Sequence, residues 1–177
     1  KLGVDIIELG VPFANSITDG ATILRSHQRA IDNGVTFHAV LELVRQVRKE
    51  TDIPIVLLAD FSHTVKPIGL SNFIRDCANT EIDGVLLHGL PPLYGDELLK
   101  LCHAAKLGLI ASLYPTTKNL SFTKLINSCS GFIYLVSHFG RTGHAINFEE
   151  PKLLRFYKDV REATSKPLMA GFGIKTA

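Results

Sequence analysis

The sequence has 177 residues, 46% of them hydrophobic and 20% charged, with 19 Lys and Arg against 17 Asp and Glu for a net charge of +2, an ordinary globular composition for one domain with a sizeable core. The two signs are interleaved, which speaks against nucleic acid as a partner; no apolar stretch reaches the roughly 20 residues that span a bilayer, and no basic-then-apolar leader opens the sequence. Cys77, Cys102 and Cys129 lie far apart without metal-ligand spacing, so buried free thiols in a reducing, cytoplasmic setting are expected rather than disulfides or a zinc site.

The first predicted element is a strand over residues 4–9, in which Glu8 stands between Ile7 and Leu9 near the carboxyl end. A carboxylate so placed is costly to bury, so its surroundings should raise its pKa and suit it to general acid–base chemistry near neutrality. A salt bridge to a neighbouring strand is the alternative reading. The loop over residues 10–20 carries a second carboxylate, Asp19, ahead of a helical stretch that includes Ile23, Leu24, Arg29 and Ala30. The commoner use of Asp-Gly is a turn or a helix cap.

Further along, Thr36 is the expected N-cap of a helix with the apolar stripe Val40, Leu43, Val44 and Val47. A strand is predicted over residues 54–58, then a helix with the stripe Leu70, Phe73, Ile74 and Cys77, then a strand over 84–87 with His88 at its end. Leu98, Cys102 and Ala105 form a weaker helical stripe before a strand over 109–113. The strand over 132–136 leads into a glycine-bearing loop, residues 137–143. Pro151 opens a helix with the stripe Leu153, Phe156, Tyr157 and Val160, and a last strand over 167–170 leads into Gly171-Phe172-Gly173-Ile174. Of the histidines, His27, His38, His103 and His144 are expected to be exposed, whereas His63, His88 and His138 fall near strand ends; none shows metal-ligand spacing.

Six strands, mostly apolar on both faces and alternating with amphipathic helices, imply an α/β fold with a parallel sheet and right-handed crossovers. An open doubly wound sheet and a closed barrel both fit. No Gly-x-Gly-x-x-Gly follows the first strand, which removes support from the dinucleotide-binding form. A (β/α)8 barrel needs eight strands and about 250 residues. Residues 1–177 are therefore expected to be a single incomplete TIM-barrel domain, lacking a unit before Lys1 and another after Ala177. In such folds chemistry lies beyond the carboxyl ends of the strands, and the glycine loops after late strands can bring backbone N–H groups to a phosphate.

Several blocks carry a family likeness. Ile7-Glu8-Leu9-Gly10-Val11-Pro12-Phe13, Asp19-Gly20, Arg29-Ala30 and Gly34-Val35-Thr36 are followed in order by Pro54-Ile55 with Leu57-Leu58, then by Pro115-Thr116-Thr117 and Tyr134-Leu135-Val136-Ser137. Gly140, Thr142-Gly143 and Gly171-Phe172-Gly173-Ile174 complete the set. Across its whole length the sequence resembles the tryptophan synthase alpha chain family. The resemblance implies a (β/α)8-barrel lyase of tryptophan biosynthesis that cleaves indole-3-glycerol phosphate to indole and glyceraldehyde 3-phosphate. It implies Glu8 as general acid–base and Asp19 as the group that holds the indole N–H and stabilises the cationic intermediate. It further implies Leu58, Leu113, Tyr134 and Phe172 as the indole slot, Gly143 and Gly173 as phosphate donors, and Thr142 in the loop that closes the site. No metal or cofactor is implied on this chain. Pyridoxal phosphate belongs to the implied partner, the β chain of an α2β2 assembly.

The sequence departs from the family pattern in several places. Ala14-Asn15-Ser16 stands where Ser-Asp-Pro is usual, in the loop that contacts the β chain, and Ala21 replaces a proline. Ala59-Asp60-Phe61-Ser62-His63 lacks the usual strand-three tyrosine, His88-Gly89 lacks the usual strand-four acid, and Arg141 replaces a small apolar residue. These departures leave two further readings open. One is an impaired alpha-like subunit that binds and regulates a β chain. The other is a related barrel acting on another phosphosugar through Asp60 and His88.

Overall fold

The computed structural model describes residues 3–117, 119–137, 147–171 and 174. The chain forms two compact units. The first runs to Asn15 and resumes over Arg25–Leu109; the second holds Ser16–Leu24 and the chain from Ile110 onward.

The first unit contains β1 (Ile7–Gly10), most of α1 (Ala21–Asp32), α2 (Phe37–Arg48) and β2 (Ile55–Asp60). A single π-helical turn, Phe61–Val65, then runs into α3 (Lys66–Ile68) and α4 (Leu70–Ala78). β3 (Gly84–His88), a 3-10 turn at Pro92–Tyr94, α5 (Gly95–Ala104) and β4 (Gly108–Leu109) complete it. The four strands are parallel in the order β1-β2-β3-β4. β1 starts later than the predicted residue 4. Pairing begins at Ile7↔Ile55, because Pro54, just before β2, has no N–H to donate and offers only its carbonyl, to Ile7 N–H at 2.8 Å.

The helices form where capping and periodicity place them. Thr36 is extended (φ −109°, ψ 172°) and its side chain accepts from Ala39 N–H at 3.2 Å. The buried stripe of α2 is Phe37, Val40, Leu41 and Val44, while Leu43, expected inside, is 45% exposed. Both sets obey the helical spacing. The one containing Phe37 prevails because that ring stacks on Phe73 at 5.1 Å and removes more apolar surface from water. On α4 the predicted set Leu70, Phe73, Ile74 and Cys77 is wholly buried, and on α5 Leu98 and Cys102 are buried.

The strand register sorts side chains into two faces. Ile7, Leu9, Ile55, Leu57, Ala59, Val85, Leu87 and Leu109 share one face and pack with the helices in one apolar core. Glu8, Gly10, Val56, Leu58, Asp60, Leu86 and His88 share the other.

At the amino ends of these strands Arg48 ties helix to sheet. Its side chain, 11% exposed, donates from Nε to Glu81 O (2.9 Å), from Nη1 to Ile53 O (2.6 Å) and from Nη2 to Asp83 Oδ2. Asp83 Oδ2 also accepts from Ile55 N–H at 2.8 Å, and Asp83 O accepts from Gly108 N–H at 2.7 Å. A Cβ on Gly108 would lie 2.9 Å from that carbonyl, so the close approach requires glycine. Arg48→Ala is expected to cost roughly 2 kcal/mol, mostly from the two backbone carbonyls, since the half-exposed Asp83 adds little. The midpoint of denaturant unfolding measures this; a loss below about 0.5 kcal/mol would show that water replaces the guanidinium.

The second unit contains β5 (Ala111–Leu113), α6 (Asn119–Ser128), β6 (Ile133–Val136), α7 (Pro151–Ala163) and β7 (Leu168–Gly171), with parallel strand order β5-β6-β7. The single strand expected over 109–113 is therefore two. Hydrogen bonding passes from β3 to β6 at Ile110, which belongs to neither ladder. Pro151 opens α7 as predicted, where its missing N–H costs nothing. Leu153, Phe156 and Val160 are buried against Leu113, Ile133 and Leu135, with Tyr157 partly buried beside them. The three cysteines are free and buried, and burial pushes the Cys102 thiol up to about 12 and raises those of Cys77 and Cys129. Among the described residues no helix is long and apolar enough to cross a membrane.

Candidate active site

β1 presents Glu8 on the face turned away from the helices, paired with Val56 and followed by Gly10 opposite Leu58. Glu8 itself is exposed to solvent. The protein atoms around the carboxyl nevertheless remove enough water to raise its pKa above the ordinary 4.5, and desolvation is the cause. The shift is upward, opposite to that of a carboxylate held ionised by a cation.

Leu58 is partly buried on the same face. Asp60 follows it, and its Oδ1 accepts from both the backbone N–H (2.9 Å) and the ring Nδ1 (2.7 Å) of His63. That bond caps the π-helical turn after β2 and folds the His63 ring back over Phe13, stacked at 5.0 Å. Phe13, in the loop after β1, donates its N–H to His27 Nδ1 at 3.2 Å and packs on that ring at 4.9 Å. This Phe13–His27–His63–Asp60 group is absent from the expectations drawn from the sequence. His27 is expected at the surface and is instead partly buried. The Asp-x-x-His spacing at 60–63 was the available signal, as an N-cap pattern.

Asp19 lies in the second unit, partly buried. Gly20 O accepts from Leu24 N–H at 3.0 Å and α1 begins at Ala21, so Gly20, not Asp19, occupies the cap position. In the same unit Ser112, Tyr134 and Met169 share the face opposite the helices. The Tyr134 ring leans over Gly171, where a Cβ would come within 2.1 Å of its hydroxyl. Ser137 Oγ donates to Gly171 O at 2.8 Å and accepts from Tyr157 Oη at 2.7 Å, fixing the carboxyl ends of β6 and β7 together.

Leu113 corrects the expectation from sequence. It is fully buried in the core with Leu153 and Phe156. The strict alternation of β5 turns Leu113 to the helices and Ser112 to the other face, so Leu113 does not line a slot. Thr142, Gly143, Phe172 and Gly173 lie outside the described residues, as do His138 and His144. Among the described residues no group of three or more His, Cys, Asp or Glu side chains could hold a metal ion.

The comparisons with known proteins agree. A family model described as "Tryptophan synthase alpha chain" matches residues 1–177. A tryptophan synthase alpha chain of Geotalea uraniireducens is 38% identical over 174 residues, covering 98% of this chain and 64% of that one. One of Bacillus cereus is 34% identical, covering 99% and 67%. The chain thus spans about two-thirds of the length of these relatives. Among solved structures, a tryptophan synthase complex from Pyrococcus furiosus matches with a TM-score of 0.83 at 25% identity, covering 96% of this chain and 67% of that one. A tryptophan synthase from Mycobacterium tuberculosis matches with a TM-score of 0.85 at 26% identity, covering 98% and 65%. The parallel strand–helix units are those of the (β/α)8 barrel, incomplete in this chain.

Proposed function

The chain belongs to the tryptophan synthase alpha chain family, and from that premise we propose that it cleaves indole-3-glycerol phosphate to indole and glyceraldehyde 3-phosphate, as a cytoplasmic lyase of tryptophan biosynthesis. The observation that carries this reading is Glu8, set on the helix-free face of β1 with its carboxyl raised by desolvation.

The cleavage is a retro-aldol step. Glu8 delivers a proton to the indole carbon that bears the side chain. The ring becomes an indolenine-like cation, the carbon–carbon bond breaks, and its electrons return to the ring. Glu8 takes up the proton of the glycerol hydroxyl as the aldehyde forms. Asp19 holds the indole N–H, and its fixed negative charge stabilises the developing positive charge. Leu58, Tyr134 and Phe172 line the ring slot. Gly143 and Gly173 give backbone N–H groups to the phosphate, and Thr142 helps close the site and position Asp19. This chemistry needs no metal and no cofactor on this chain. The partner is a β chain in an α2β2 assembly, and pyridoxal phosphate belongs to that subunit.

Indole release from indole-3-glycerol phosphate by the full-length protein, with and without a β chain, tests the reading. Release that rises on adding the β chain is the expected result. Release indifferent to it would remove the partner, and no release under either condition would overturn the reading.

A further inference from the structure

In the second unit the ladder between β6 and β7 ends at the register pair Val136↔Gly171. Gly171 O then accepts twice from Ser137, from the backbone N–H at 3.3 Å and from Oγ at 2.8 Å. The first distance lies beyond the usual N–H···O range and the second at the optimum for a hydroxyl, so the side chain makes the firmer tie. A serine hydroxyl has one hydrogen, and Ser137 gives it to the carbonyl. The 2.7 Å contact between Ser137 Oγ and Tyr157 Oη is therefore a bond that the phenol donates. Ser137 is 7% exposed, which leaves water little room to replace either partner.

Tyr157 reaches this point from a fixed base. It belongs to α7, the crossover helix between β6 and β7, whose Leu153, Phe156 and Val160 are buried in the core of the unit. The two hydroxyl bonds run in one direction, from Tyr157 to Ser137 and from Ser137 to Gly171, so each polarises and strengthens the other. Beyond this tie the chain leaving β6 and the chain leaving β7 enter the glycine-bearing segments 137–143 and 171–173. A carbonyl is coplanar with the peptide N–H that follows it. The direction in which Gly171 C=O is held therefore sets the course on which the chain leaves β7. Tyr134 stands earlier, inside the ladder and in register with Met169, where backbone pairing holds it.

We propose that Tyr157 is a positioning residue for phosphate binding: through Ser137 it holds the ends of β6 and β7 so that the glycine loops following them receive a phosphate monoester. The inference rests on the reading that those loops bind the phosphate of the substrate. Backbone N–H groups act together on an anion only while they converge on it, and donors held in advance need no ordering when the ligand arrives. Without the phenol, Ser137 Oγ loses the hydrogen it accepts and is freer to turn from the carbonyl. The long N–H bond is then the last tie between the two strands. Hydrogen bonds to a phosphate are directional and feel a small displacement of the loops, whereas apolar contacts to a ring are not and tolerate it.

The test is calorimetric binding of glycerol 3-phosphate and, separately, of indole to the full-length protein and its variants. Tyr157→Phe keeps the ring and its packing and removes only the hydroxyl. It is expected to weaken glycerol 3-phosphate about five-fold, the equivalent of one ordinary hydrogen bond, and to leave indole within about two-fold. Ser137→Ala should weaken glycerol 3-phosphate by at least as much. Adding Tyr157→Phe to Ser137→Ala should weaken it no further, because the phenol acts through Ser137. A merely structural hydroxyl would lower stability and weaken both ligands alike. That result would overturn the proposal, as would undiminished binding of glycerol 3-phosphate by Tyr157→Phe, a full second loss in the double variant, or no binding of glycerol 3-phosphate by the parent protein. Failure of the lyase reading is separate, since it would appear as absent cleavage of indole-3-glycerol phosphate while glycerol 3-phosphate still binds and still responds to Tyr157→Phe.

Discussion

Glu8→Gln is expected to lower indole release by about 10²- to 10⁴-fold while leaving the affinity for a non-reacting ligand within about two-fold. The amide keeps the size of the side chain and its hydrogen-bonding character, and removes its ability to give up and take back a proton. Burial is what perturbs this carboxyl, so no ion pair is broken and the fold should not feel the change. The raised pKa also fixes the direction of the pH dependence. In the proton-delivering step the protonated acid reacts, and a carboxyl at its ordinary 4.5 would be almost wholly ionised at neutrality. Raising it preserves more of the reactive form. The rate of that step should therefore fall as pH rises through the raised value, with a midpoint above 4.5, and this limb should vanish in Glu8→Gln. Single-turnover indole release across pH measures both. Undiminished turnover in the variant would remove Glu8 from the chemistry.

The largest effect on stability is expected at Phe73. Its side chain is fully buried and stacks on Phe37 with centroids 5.1 Å apart and planes 26° from parallel. Phe73→Ala removes the ring from the centre of the helix–sheet core of the first unit, where Leu57, Val85 and Ile74 are equally enclosed. The lost transfer energy, the cavity and the ring contact together predict a cost of about 3–5 kcal/mol. Total stabilities of about 5–15 kcal/mol make that a large share. Denaturant unfolding should show a lower midpoint at an unchanged slope. A cost below about 1 kcal/mol would mean that neighbouring side chains collapse into the space.

How far the sequence discloses this molecule depends on which interactions decide each feature. The alternation of strands and helices follows from periodicity, and the stripes at Leu70–Cys77 and Leu153–Val160 lie buried where the spacing puts them, with only Tyr157 partly covered. On α2 two stripes satisfy the same spacing, and the contact of Phe37 with Phe73, remote in sequence, chooses between them. The break at Ile110 arises because one segment serves two different neighbours, which no local pattern encodes. Glu8 could be singled out because a carboxylate inside an apolar strand is conspicuous. The face taken by Leu113 was harder to read, because Ser112 is the one polar residue in the otherwise apolar run 109–113 and a single residue makes a weak alternation. The His27 and His63 contacts to Phe13 depend on how two loops fold back, information that resides in the tertiary structure.

The position of the Arg48 clamp has a consequence for how such a chain can change. Arg48, Asp83 and the amides of Ile55 and Gly108 hold the amino ends of β2, β3 and β4. Asp60 and His88 stand at the opposite ends of two of the same strands. Register set at one end is transmitted by the backbone ladder to the other, whatever side chains stand there. Mutation at positions 60 and 88 can thus explore new ligand chemistry on strands whose alignment is secured elsewhere, and most of the variants tried there would still fold. The acidic and imidazole groups at those sites are, in that sense, interchangeable inserts in one frame. The frame makes a shift in specificity accessible by single substitutions, without passing through unfolded intermediates.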